Sequence, residues 1–226
     1  MKLPELLAPA GGMEALRAAV ENGADAVYLG GQAFNARAGA ANFPREELRE
    51  GIEYARLRRV KVYITVNILI DNSEIPELVD YLHYLFTIGA DAVILQDLGV
   101  AHLVSNILPE LPIHASTQMT IVNSSGVNLM QDLGFERVVL ARETSLRDIA
   151  EIYKKTGAEL EVFVHGALCV CYSGQCLMSS MIGGRSGNRG RCAQPCRLTY
   201  QLMDLTGNSK VPVAEVSAYV LGEHGQ

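Results

Sequence analysis

The chain has 226 residues, 49% of them hydrophobic, so it can bury a substantial core within one domain. A formal charge of −6 excludes a generally basic, nucleic-acid-coating surface and leaves room only for a local basic patch. No apolar run reaches the roughly 18 residues of a transmembrane span, and Met1-Lys2-Leu3-Pro4-Glu5 meets a proline and an acid before a secretion-type stretch can form.

Short β-rich runs recur at 5–8, 26–29, 60–66, 92–95, 113–115, 137–140 and 161–164, each followed by a helix-length segment. Several, such as AVYL, AVIL and VVLA, lack polar alternation, as strands of a parallel sheet covered by helices do. Over 74–88, helical spacing puts Leu78, Leu82, Leu85 and Phe86 on one face. Gly23, Gly89 and Gly134 stand where helices pass into strands, the position of a C-cap. GADAV occurs twice, at 23–27 and 89–93, closing a helix and opening a strand each time. The serial βα pattern predicts an α/β fold, a TIM-like (β/α) barrel, with a doubly wound open sheet as the rival. The residues just past the strands favour the barrel. Asn67, Gln96, Asp97, Ser116, Thr117, Gln118, Arg142, Glu143, His165 and Gly166 are polar or small and would converge on one mouth. An eighth strand is missing, since RLTYQLMDLTG after Cys196 supplies one strand and a turn but no full βα unit. The expected organisation is serial barrel units over 1–166, a cysteine- and arginine-rich segment of the same domain over 167–205, and a truncated tail over 206–226.

All five cysteines, Cys169, Cys171, Cys176, Cys192 and Cys196, lie in that segment. Their spacings are CxC, CxxxxC and CxxxC, without the paired CxxC knuckles of a zinc ribbon or a thioredoxin-type CxxC. Such spacing suits an iron–sulfur cluster, whose thiolates come from separate loops; zinc and incidental thiols stay open as alternatives. An odd cysteine count without a secretion signal points to a reducing cytoplasm. Between Glu161 and Asp204 there is no acid, yet Arg185, Arg189, Arg191 and Arg197 lie there. Arg185, Arg189 and Arg191 are therefore candidates for binding a substrate or anion, and all four could offset a cluster's negative charge. GGRSGNRG can turn backbone N–H groups toward an anion but lacks the ending of a nucleotide P-loop. His165 is a candidate acid/base or substrate contact, with a hydrogen-bonded structural histidine as the equal alternative; His114 reads the same way. Ser173 and Ser186 could be nucleophiles but occupy no G-x-S-x-G elbow, and HExxH is absent. Met178 and Met181 are expected in the core.

The motifs LLAPAG, GADAVYLGG, FNARAGAANF, VYITVN, AVILQDLG, HASTQM and VVLARE lead in order to EVFVHGALCVCYSGQCLMSS and GRSGNRGRCAQPCR. Over residues 3 to 205 this resembles the peptidase U32 family, the collagenase-like proteases. The resemblance implies a barrel-like domain and one of three chemistries: peptide hydrolysis, hydroxylation of bases in tRNA or rRNA, or oxygen-independent ubiquinone hydroxylation. It implies a 4Fe-4S cluster on Cys169, Cys176 and Cys192, with Cys196 as the fourth ligand through CxxxC and Cys171 a spare. RNA is the implied partner, and prephenate the implied anionic co-substrate. Members carry a further strand past this point, so the barrel is expected to be open, with edges that invite self-association. The function expected is nucleobase hydroxylation in tRNA or rRNA; a U32-type peptidase is the alternative, and an inactive folding or assembly fragment a further one.

Overall fold

The computed structural model describes residues 3–166 and 169–200, together with the backbone of 216–217. Seven parallel strands lie in chain order: β1 (Leu7–Ala10), β2 (Ala26–Gly30), β3 (Lys61–Val66), β4 (Ala92–Leu95), β5 (Ile113–Ala115), β6 (Arg137–Val139) and β7 (Glu159–Glu161). Between them run α1 (Met13–Glu21), α2 (Arg45–Arg56), α3 (Ile75–Ile88), α4 (Leu98–Ile107), α5 (Ser124–Asp132) and α6 (Leu146–Thr156). The sheet curls far enough that Glu5, just before β1, reaches Arg137 of β6 at 2.7 Å. This is the expected α/β barrel architecture, built from seven strands.

Alternation along the strands separates two faces. Val27, Leu29, Val62, Ile64, Val66, Val93 and Leu95 point outward into one core with Leu16, Leu48, Ile52, Leu78, Leu82 and Leu85 of the helices. Full burial of each such side chain is worth about 1.5–3 kcal/mol. Ala26, Tyr63, Ala92 and Ile94 form a second cluster on the inner face, against Leu7 and Tyr28. Helix α3 buries Leu78, Tyr81, Leu82 and Leu85. Tyr81 takes the place foreseen for Phe86, which lies at the edge of the stripe and is exposed.

The repeated GADAV has a structural cause. Asp25 accepts a hydrogen bond from the N–H of Leu6, and Asp91 accepts one from that of Val62, both at 2.8 Å. Each copy thus caps its helix with glycine, at φ +90° and +81°, and ties down the start of the neighbouring strand.

Two strands differ from expectation by more than one residue. The first strand covers 7–10 rather than 5–8, which frees Glu5 to turn inward. The last covers 159–161 rather than 161–164; its ladder ends at the bond from the Leu140 N–H to the Glu161 carbonyl, and Val162, Phe163 and Val164 beyond it are exposed. The strand foreseen after Cys196 forms as β8 (Thr199–Tyr200), but it pairs antiparallel with β9 (Val216–Ser217) in a separate ribbon. The rest of the predicted 206–226 tail lies outside the described residues.

Candidate active site at the barrel mouth

The cysteine segment is fastened across the C-terminal ends of the strands by four βα loops, the end of a barrel where active sites form. After β2, Ala38 donates to the Gly190 carbonyl at 3.2 Å. After β3, Leu69 donates to the Asn188 carbonyl at 3.0 Å, and Arg189 returns bonds to the Leu69 carbonyl and to both oxygens of Glu74 at 2.6–2.7 Å. After β5, Thr120 Oγ1 donates to the Ser173 carbonyl at 2.6 Å, and Gln175 donates to Thr120 at 2.9 Å. After β6, Ser173 donates to Glu143 through its N–H and its hydroxyl, and its Oγ accepts from the Arg142 N–H. Two glycines make this approach possible. Gly174 and Gly190 adopt φ +72° and +73°, and a side chain at either would run into a backbone carbonyl, of Gln118 or of Asn35.

All five thiols are free, and they share one neighbourhood. Partial burial pushes the Cys196 thiol up, with the charges of Cys169, Cys192 and Cys176 adding to that and Arg197 opposing it. Cys171 is raised by burial and then by Cys176 and Cys169. Cys171 thus shares a hydrogen bond with Cys176 as well as its charge. Gly187 lies beside both Cys192 and the Cys176 carbonyl. Among the described residues no three His, Cys, Asp or Glu side chains converge on one ion-sized point. Four thiols that are at least partly exposed, in one stretch with no acids, match the donor chemistry of a thiolate-bound cluster.

The basic residues divide. Arg189 is held by Glu74, whose carboxyl its hydrogen bonds keep below the usual carboxylate range. Glu74 also forms a capping box with Asp71: Asp71 accepts from Ser73, and Glu74 accepts from the Asp71 N–H at 2.7 Å. Arg189 thus clamps the segment to the β3–α3 loop. Arg185 and Arg191 are exposed and, like Arg197, have no acidic partner among the described residues. Arg142, at the same mouth, has a buried Nε without a hydrogen-bond partner. We expect Arg189→Ala to lower stability by about 1 kcal/mol and to speed limited proteolysis within 169–200, measured beside a urea titration.

His165 is exposed and makes no hydrogen bond to another described residue. His114 is buried in the barrel, edge-on to Tyr63 at 4.8 Å; burial and then Arg137 push its pKa down to about 3, so it is neutral near pH 7. Ser173 is fully buried and bonded on both sides, a fastening and no free nucleophile. Met178 and Met181, expected in the core, are exposed, Met181 by 83%. They belong to the short helix α7 (Met178–Gly183), which buries Ser179 instead.

The barrel interior holds a group that periodicity missed. Arg137 bonds Glu5 at 2.7 Å and Glu159, lies 3.7 Å from Glu161, and stacks over Tyr63 at 5.0 Å. Tyr63 donates to Glu5 at 2.9 Å. Burial raises the Glu161 pKa to about 7, Arg137 opposing and Glu5 adding to the rise. The signal was present in the sequence as charged residues inside strand-length runs, Arg137 in RVV and Glu161 in ELE. Because the folded-state pKa of Glu161 lies above its ordinary value of 4.5, ionisation costs stability as pH rises from about 4.5 to 7. Glu161→Gln should therefore gain about 1 kcal/mol over wild type at pH 8 and nothing below pH 4.5, read from urea midpoints.

A curled parallel barrel lidded at its mouth by a thiol-rich segment defines the class of the protein. The family model "Peptidase family U32" matches residues 11–224, and the chain belongs to that family. It is 42% identical over 210 residues to "tRNA hydroxylation protein P1" of Bacillus subtilis (strain 168), covering 93% of this chain and 50% of that protein. It is 41% identical to "23S rRNA 5-hydroxycytidine C2501 synthase" of Escherichia coli (strain K12), covering 90% and 30%. With "Collagenase" of Porphyromonas gingivalis (strain ATCC BAA-308 / W83) the identity is 35%, covering 88% and 50%. The chain thus spans half or less of the length of these three relatives. Among solved structures, the U32 peptidase Mk0906 superposes with a TM-score of 0.61 at 13% identity, over 74% of this chain and 71% of that one, a likeness of fold.

Proposed function

We propose that this chain is the barrel portion of an iron–sulfur protein that takes part in hydroxylating a nucleobase in tRNA or rRNA. The observation that carries this reading is the four-loop fastening of a thiol-rich, acid-free segment over the barrel mouth. The names of the two RNA-hydroxylation relatives support it. Cys169, Cys176, Cys192 and Cys196 would hold the cluster, and when bound it would supply electron transfer or substrate activation at the mouth. Arg189 and Ser173 keep the segment in position. Arg185, Arg191 and Arg197 present unpaired positive charge to RNA phosphates, or to an anionic co-substrate, which the family resemblance suggests is prephenate. Free thiols in such a site suit a reducing compartment, the cytoplasm; among the described residues no helix is long and apolar enough to cross a membrane.

The peptidase alternative has the collagenase relative in its favour. Ser173 does not serve it as a nucleophile, since its hydroxyl is buried and committed to Glu143. Nucleoside mass spectrometry of tRNA and rRNA from cells with and without the protein tests the proposal. The expected result is loss of one hydroxylated nucleoside. Unchanged nucleosides in both RNAs, with gelatin cleavage that survives rigorous purification, would favour the peptidase.

A further inference from the structure

The inner face of the barrel leaves a cleft of only ≈ 50 Å³ among Tyr28, Thr65, Asn67, Ser116 and Glu161, room for a few water molecules. Chemistry that the proposed function leaves unused lies instead in the thiols. Four cysteines suffice for the cluster, and Cys171 is the fifth. It is free and partly exposed, as is Cys176, and the two share a hydrogen bond that brings their sulfurs into contact.

The contact is built by the turn between them. The Gln175 N–H donates to the Tyr172 carbonyl at 3.1 Å, closing a turn that Cys171 and Cys176 flank on either side. Gly174 supplies the positive φ of +72° that this reversal needs, close against the Gln118 carbonyl. Ser173 is fully buried, held by Glu143 through its N–H and hydroxyl and by Thr120 through its carbonyl. The Tyr172 N–H donates to the Cys171 sulfur. These bonds fix the backbone between the two thiols from inside, while both side chains keep access to solvent. Sulfurs held in contact across so short a turn need little backbone movement to become a disulfide.

We propose that Cys171 and Cys176 are a redox pair, which hydrogen peroxide closes to a disulfide, and that closure withdraws Cys176 from the metal. The inference rests on the reading of Cys176 as a cluster ligand and gives the fifth cysteine a role. One thiolate attacks the peroxide: an S–O bond forms, the O–O bond breaks, and a sulfenic acid and hydroxide result. The neighbouring thiol then attacks the sulfenic sulfur. An S–S bond forms, the S–O bond breaks, and the thiol proton leaves with the oxygen as water. The two sulfurs together lose two electrons, and both peroxide oxygens are reduced to the level of water. With Cys176 in the disulfide, three of the proposed ligands remain, and metal binding waits on a reducing thiol.

The test treats the full chain, freed of metal by a chelator under argon, with a slight excess of hydrogen peroxide. Remaining thiols are then alkylated and located by peptide mass spectrometry. The expected product is a Cys171–Cys176 disulfide, two hydrogens lighter, with Cys169, Cys192 and Cys196 alkylated. Dithiothreitol should return all five to the alkylated form. Cys171→Ser, its fold checked by circular dichroism, should form no disulfide at Cys176. Cobalt(II) alone serves as the metal probe, through its thiolate charge-transfer absorption. The oxidised chain should bind it at least several-fold more weakly than the same chain after reduction, and reduced Cys171→Ser should bind it as wild type does. Cys176 paired with Cys169, Cys192 or Cys196 instead, or left free after peroxide, would overturn the proposal. A Cys171–Cys176 disulfide with unchanged cobalt binding would overturn the withdrawal and the reading of Cys176 as a ligand with it. Cobalt binding weakened by Cys176→Ser, in a chain that never forms the disulfide, would sink the redox pair alone.

Discussion

Replacing Arg137 by methionine should destabilise the protein by about 3 kcal/mol at pH 7, the cost of leaving the partly buried Glu5 and Glu161 without their counter-charge. Arg137 is only 6% exposed and is shared by Glu5, Glu159 and Glu161. Burial pushes the Glu5 carboxyl up, but the hydrogen bonds from Arg137 and Tyr63 outweigh it and hold the group below its ordinary value. Stability from a depressed carboxylate is present above its unfolded pKa and is lost as pH falls through the folded one. The methionine variant's deficit should thus shrink as the pH drops from 7 toward 4, where the acids it strands become protonated. Urea titrations of both proteins across that range read the difference directly. A deficit under about 1 kcal/mol at pH 7 would mean that water, not Arg137, satisfies the barrel interior.

The second large effect concerns the thiols. Alanine at Cys169, Cys176, Cys192 or Cys196 should each weaken metal retention at least about tenfold, against little change for Cys171→Ala. The contrast follows from the family resemblance, which makes Cys171 the spare; the charges of Cys169, Cys192 and Cys176 act on Cys196, and those of Cys176 and Cys169 on Cys171. Iron and sulfide measured per chain after anaerobic purification separate the five variants. Equal loss in Cys171→Ala would move the ligand set by one residue.

Much of this architecture could be read from the sequence because a parallel sheet imposes strong local signals. Apolar runs of strand length, glycines after helices and the GADAV echo all report local constraints on the backbone. The Glu5 end of the first run and the Val164 end of the last misled because apolarity alone cannot mark where a ladder stops. Phe86 misled for a related reason, as a face drawn from four residues leaves its edge undefined. The cysteine cluster was legible as a concentration of thiols, but its fastening was not. Arg189 looks like an anion ligand until Glu74, far away along the chain, is brought beside it. The inner cleft was the least legible part. Tyr28, Thr65, Asn67 and Glu161 come from three different strands or their ends, and only the curl of the sheet puts them on one wall.

The central claim is that the segment lidding the barrel mouth holds an iron–sulfur cluster. Anaerobic purification followed by an absorption spectrum with iron, sulfide and zinc analysis tests it most directly. The account predicts a brown protein with about four iron and four sulfide per chain, as four thiolate ligands require. A colourless protein with one zinc per chain would contradict it.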